Sequence, residues 1–156
     1  GLQIPSVIIK NPELRKMYAD YMTASGFDYG EAGTFGLEAI RAAYKYGDEW
    51  LDSLMEYING NLEFLLSYVK KNIPKAKVMV PDATYLVWID FSDYKIDSRT
   101  LHKTLKYEGK IWLDEGYLFG KAGEGFERIN IACPRKILEE GLKRIKECIN
   151  KMDSQR

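Results

Sequence analysis

An arginine and an asparagine alternate with apolar residues in "GEGFERINIACPR", residues 123–135. Period-two alternation places Arg128, Asn130 and Ala132 on one face of a strand and Ile129, Ile131 and Cys133 on the other. With the apolar face packed on helices, the Arg/Asn face looks into a cleft or into solvent. A planar guanidinium is suited to gripping a carboxylate through two N–H groups, and an amide beside it can orient the anion. The alternative is a cross-strand ion pair at the surface, a common arrangement. Arg135 is a second candidate anion binder. It falls in the first turn of a predicted helix, where a cation opposes the helix dipole, and Glu139 four residues on offers a structural partner.

Other chemistry-bearing residues have weaker patterns. Ser67–Lys70 and Ser92–Lys95 each form S-x-x-K, but the companion strings SDN and KTG of that nucleophile motif are absent from the sequence. His102, the single imidazole, reads as solvated or structurally satisfied rather than as a general base, because no partner is visible. Two cysteines, Cys133 and Cys148, and one histidine fall short of a standard zinc ligand set, so no metal site is expected. "GKAGEG" (120–125) has glycines in neither the dinucleotide nor the P-loop order and reads as a tight connection between strands. Asp90, Asp114 and Glu115 stand at strand ends, in keeping with turn chemistry.

The elements that must position these groups follow from punctuation and periodicity. "IPSVII" (4–9) reads as a buried strand. Asn11, Pro12 and Glu13 open a helix over 12–24, and four glycines mark 26–36 as a loop or hinge. Leu51, Leu54, Met55, Ile58, Leu62, Leu65 and Val69 form one helical stripe. The run 37–72 can be a single helix of about 50 Å, with Gly47 and Gly60 as candidate bends. From residue 75 the order is β-β-α-β-β-α: strands at 77–80 and 84–91, a helix capped by Asp97-Ser98, a short strand near 110–116, the Arg128 strand, and a last helix opened by Pro134. The fold class is therefore α/β, with helices packed on a small sheet.

The totals narrow the partners. Twenty-three basic and 23 acidic residues cancel, which argues against nucleic-acid or anionic-membrane binding. No apolar run approaches the ~20 residues of a membrane span. Two cysteines suggest no disulfide framework, so a reduced, cytoplasmic setting is expected.

Three stretches go further together: "AAYKYGDEWLDSLMEYINGN" (42–61), "PDATYLVWIDFS" (81–92) and "WLDEGYLFGKAGEGFERINIACPR" (112–135). In order and spacing they resemble the C-terminal part of fold-type I pyridoxal-phosphate enzymes in the class I/II aminotransferase superfamily, and most of all the cystathionine β-lyase, or C–S lyase, branch. The resemblance implies α,β-elimination at a C–S bond of an amino acid, with aminotransfer as the runner-up and a homodimeric parent. It implies that residues 1–36 are a remnant of a large domain, 37–74 a connector helix and 75–156 a small domain that closes over substrate. By position, Arg128 is the arginine that binds the substrate α-carboxylate. Asn130, Tyr85 and Tyr117 fall in matching motifs beside the site, and Gln3 falls near a cofactor-phosphate position. The family's Schiff-base lysine precedes a Gly-Leu pair by a few residues. It is thus expected before Gly1, with no catalytic residue in the chain itself and no cofactor bound to it alone. Without a large domain beside them, the apolar side chains of residues 1 to about 30 would need other cover. A rival of another class is a non-catalytic module that binds small carboxylates or a protein partner.

Overall fold

The computed structural model describes residues 4, 6–26 and 33–154. The chain divides into two compact units, Gly1–Ser53 and Leu54–Arg156.

In the first unit the Asn11 side chain accepts from the backbone N–H groups of Glu13 and Leu14, at 2.9 and 3.2 Å, and Pro12 fills a first-turn position with no need of a partner. Helix α1 (Pro12–Ala24) follows, as its capping residues predict. None of its residues is buried, and Leu14, Met17 and Tyr21 are all more than half exposed. The expected strand at 4–9 is not found. Among the described residues it has no ladder partner, and Val7 and Ile8 are exposed. An apolar β-branched run satisfies the period-two signal, but a strand also needs a neighbour to take its N–H and C=O groups. Gln3 lies outside the described residues.

The single helix expected over 37–72 is two. Helix α2 (Thr34–Tyr46) ends at Gly47, whose N–H donates to Ala43 O at 2.8 Å, and helix α3 (Asp48–Asn72) begins at the next residue. At Gly47 a β-carbon would collide with the Ala43 carbonyl, so glycine permits this break. Asp48 and Glu49 then complement the positive end of α3. Gly60, the other candidate bend, lies inside α3 without interrupting it.

The second unit holds the sheet. Strands β1 (Lys77–Met79), β2 (Leu86–Asp90), β3 (Asp114–Glu115) and β4 (Phe126–Asn130) lie in the order β1-β2-β4-β3, all antiparallel. Helix α4 (Ser98–Tyr107) is capped by Asp97, which accepts from Thr100 N at 2.9 Å, and helix α5 (Arg135–Ser154) closes the chain. The β-β-α-β-β-α order is the expected one. Alternation sends Val87, Ile89, Ile129 and Ile131 to one side of the sheet. There they join Ile58, Leu65 and Val69 of α3, Leu101 and Leu105 of α4, and Leu138, Leu142, Ile145 and Ile149 of α5 in one core. Each such aliphatic side chain contributes roughly 1.5–3 kcal/mol by leaving water.

One buried polar residue fixes how β4 enters α5. Asn61 of α3 is fully buried and donates through Nδ2 to the carbonyls of Ile131 and Cys133 at 2.7 and 2.9 Å. Its Oδ1 accepts from Arg135 Nε at 2.7 Å, and the Tyr57 hydroxyl accepts from Arg135 N at 2.8 Å. Gly60 makes room here, since a β-carbon on it would lie 3.3 Å from Arg135 Nη2.

Candidate functional site

The rungs between β3 and β4 pair Asp114 with Arg128 and Glu115 with Glu127. Because successive residues point to opposite faces, the first pair stands on the open face of the sheet and the second faces the helices.

On the open face, Arg128 donates from Nε and Nη2 to one oxygen, Asp114 Oδ2, at 3.1 and 2.7 Å. Its side chain is 24% exposed. The guanidinium carbon lies 4.7 Å from the Phe119 ring centre and 5.7 Å from that of Trp88, the residue opposite Arg128 on β2. Trp88 and Phe119 meet edge-to-face at 5.1 Å. Aromatic rings at these distances attract a cation and restrict its rotation. Of the two sequence readings, the ion pair is present. It uses the side-on edge of the guanidinium. Among the described residues no acceptor is bonded to Nη1, so on the end-on edge Nη1 and the second N–H of Nη2 are left to donate to another carboxylate.

The glycine-rich connection brings Phe119 here. Residues 116–119 and 121–123 form short 3-10 turns. The backbones of Gly116 and Gly123 approach so closely that a β-carbon on either would strike the other. Gly125, at φ 83°, donates to the Ser98 hydroxyl at 2.8 Å, which ties the connection to the start of α4. The reading of this segment as a tight strand-to-strand connection agrees with its geometry.

The remaining candidates are spread out. Asn130 shares the open face at the end of β4 and is exposed. Its Oδ1 accepts from Ala132 N at 2.8 Å, closing a local turn. Tyr85 precedes β2, 45% exposed, with its carbonyl accepting from Ile131 N. Tyr117 lies under the guanidinium of Arg99 from α4, 5.0 Å from its ring centre, so the aromatic beside Arg128 in this loop is Phe119. Arg135 is taken up by Asn61 and stacks 4.9 Å from the Phe64 ring centre rather than pairing with Glu139. Burial raises the thiol pKa of both Cys133 and Cys148, which makes neither a ready nucleophile.

Sequence reading missed the second pair. Glu127 is 1% exposed and His102 5%. His102 Nδ1 lies 3.4 Å from Glu127 Oε2, and Nε2 lies 3.1 Å from Glu115 Oε1 but off the line of a hydrogen bond. Burial first, then the charges of Glu115 and Asp114, push the Glu127 carboxyl up to about 8. The two carboxylates flank opposite ring nitrogens and do not converge on a point. Among the described residues no group of three or more His, Cys, Asp or Glu could hold a metal ion. The signal for Glu127 was the alternation itself: one step back from Arg128 falls on the face of Ile129 and Ile131.

Immediately around Arg128 the open face thus offers its guanidinium, the Asp114 carboxylate and the rings of Trp88 and Phe119. That set suits a carboxylate ligand. It contains no amine for a Schiff base and no phosphate cradle, so these residues by themselves do not fit a pyridoxal-phosphate site.

No family model matches the chain. It is 37% identical over 150 residues to cystathionine β-lyase PatB of Bacillus subtilis, covering 96% of this chain and 38% of the relative. It is 35% identical over 136 residues to protein MalY of Escherichia coli, covering 86% of this chain and 34% of that protein. The structure of cystalysin from Treponema denticola, which contains a pyridoxal 5'-phosphate cofactor, superposes with a TM-score of 0.83 at 33% identity over 92% of this chain and 36% of that one. The chain therefore spans a little over a third of the length of these relatives. Among the described residues no helix is long and apolar enough to cross a membrane. Sequence and fold together assign the chain to the cystathionine β-lyase-like, C–S lyase branch of the fold-type I pyridoxal-phosphate enzymes.

Proposed function

We propose that this chain forms the substrate-closing part of a pyridoxal-phosphate-dependent C–S β-lyase, with Arg128 binding the α-carboxylate of the amino-acid substrate. On this reading residues 75–156 are the small domain, 37–74 connect it, and 1–36 belong with a large domain. The observation that carries the reading is the Arg128 guanidinium, set against the paired rings of Trp88 and Phe119 with its end-on edge open on the polar face. The cystathionine β-lyase names of its relatives favour elimination over aminotransfer. In such an enzyme the cofactor supplies the electron sink. What this chain supplies is orientation: two parallel N–H bonds fix the carboxylate plane, and that fixes the direction of the bonds at Cα. Domain closure over the bound carboxylate would exclude water.

The test is Arg128→Ala, with Arg128→Lys beside it, in the full-length enzyme that contains this chain. We expect KM for cystathionine to rise by roughly 100-fold, with lysine recovering only part because it lacks the fork. Release of pyruvate, ammonia and a thiol marks elimination, whereas transfer of the amino group to a 2-oxo acid marks the aminotransferase. An unchanged KM in Arg128→Ala would overturn the assignment.

A further inference from the structure

We infer that Asp114 is a positioning residue for substrate: it holds the Arg128 guanidinium by the Nε side, so that the Nη1/Nη2 edge is aimed before a carboxylate arrives. The inference rests on the reading of Arg128 as the carboxylate clamp.

Three observations carry it. Asp114 is the register partner of Arg128 on β3, so backbone pairing delivers the two side chains to each other. A single oxygen, Oδ2, takes both the Nε and the Nη2 contacts. A carboxylate acting as a blocking mimic of substrate would instead use its two oxygens on the end-on edge. Finally, the paired rings of Phe119 and Trp88 stand at 4.7 and 5.7 Å from the guanidinium carbon, so the group has an aromatic wall on one side and Asp114 at its edge. An arginine otherwise samples many rotamers, and a substrate would have to order it during binding. A guanidinium held beforehand removes that cost from the binding step. One negative charge beside the clamp also offsets part of its attraction for any anion. The inferred gain is therefore alignment rather than field strength.

The experiment uses Asp114→Ala and Asp114→Asn in the full-length enzyme that contains this chain, with cystathionine and its α-carboxamide as the two substrates. Asparagine keeps an oxygen that can accept from Nε. Asp114→Ala is expected to raise KM for cystathionine about tenfold, with little change for the carboxamide, and Asp114→Asn to recover most of it. An independent readout needs no turnover. In the 15N-labelled protein, the Arg128 Nε–H resonance should exchange slowly with solvent in the wild type and be lost in Asp114→Ala. A lower KM in Asp114→Ala would make Asp114 a competitor of substrate and overturn the inference. So would an Nε–H resonance unchanged by the substitution. If Arg128→Ala raises KM and Asp114→Ala does not, the positioning role falls and the clamp stands. If Arg128→Ala itself leaves KM unchanged, both fall.

Discussion

Glu127→Gln isolates the titration of one buried carboxyl. Glu127 sits under the sheet with His102 and Glu115, and its pKa of about 8 compares with an ordinary value of 4.5. The folded state therefore keeps a proton that the unfolded chain gives up from pH 4.5 upward. Stability from this group is fully present below the unfolded pKa, falls as pH rises between 4.5 and about 8, and levels off above. The slope is about 1.4 kcal/mol per pH unit, so the total is of the order of 5 kcal/mol. Glutamine keeps the shape and an oxygen for His102 but has no proton to lose. Subtracting the wild-type stability from that of Glu127→Gln should give a difference that climbs by up to about 5 kcal/mol from pH 4.5 to 9. Titrating groups distant from Glu127 cancel in the subtraction. Urea unfolding at half-unit pH steps, followed by circular dichroism, measures both curves. Glu115→Gln removes one of the charges that raise the pKa, and should move the window to lower pH. Parallel stability curves for wild type and Glu127→Gln across this range would refute the reasoning, because they would mean that Glu127 titrates alike in the folded and unfolded states.

Two further substitutions test the framework of the site. Asn61→Ala leaves the Ile131 and Cys133 carbonyls and the Arg135 guanidinium without their buried partner. It should cost about 2–4 kcal/mol and lower Tm by roughly 4–16 °C, and a loss below 0.5 kcal/mol would show that the lock carries little. Gly116→Ala places a β-carbon against the backbone of Gly123 and Phe126. It should destabilise by about 1–3 kcal/mol and move Phe119 off Arg128, seen as a change in the tryptophan emission to which Trp88 contributes; wild-type stability and emission would count against the tight connection.

Much of this protein was legible locally. Helix α1 follows from Asn11, Pro12 and Glu13, whose capping chemistry acts within three residues and needs no distant partner. The β-β-α-β-β-α order followed from changes of period, and alternation correctly put Ile129 and Ile131 in the core, opposite Arg128 and Asn130. Motif order carried the family.

What the tertiary structure alone decided lies in pairings between distant segments. The run at 4–9 has strand-like residues but no ladder partner among the described residues, and no local signal reports a missing neighbour. Gly47 and Gly60 look alike in sequence, yet one ends a helix and the other admits Arg135. On pattern alone Arg128 read more readily as half of an ion pair, and only the family resemblance made it a clamp. The register of β3 on β4 brought Asp114 to one edge of the guanidinium and left the other edge open. The same register put Glu127 and Glu115 on the core side with His102. Periodicity states which face a residue takes, but what stands on that face depends on which strand pairs with which, and that is set by closure of the whole core.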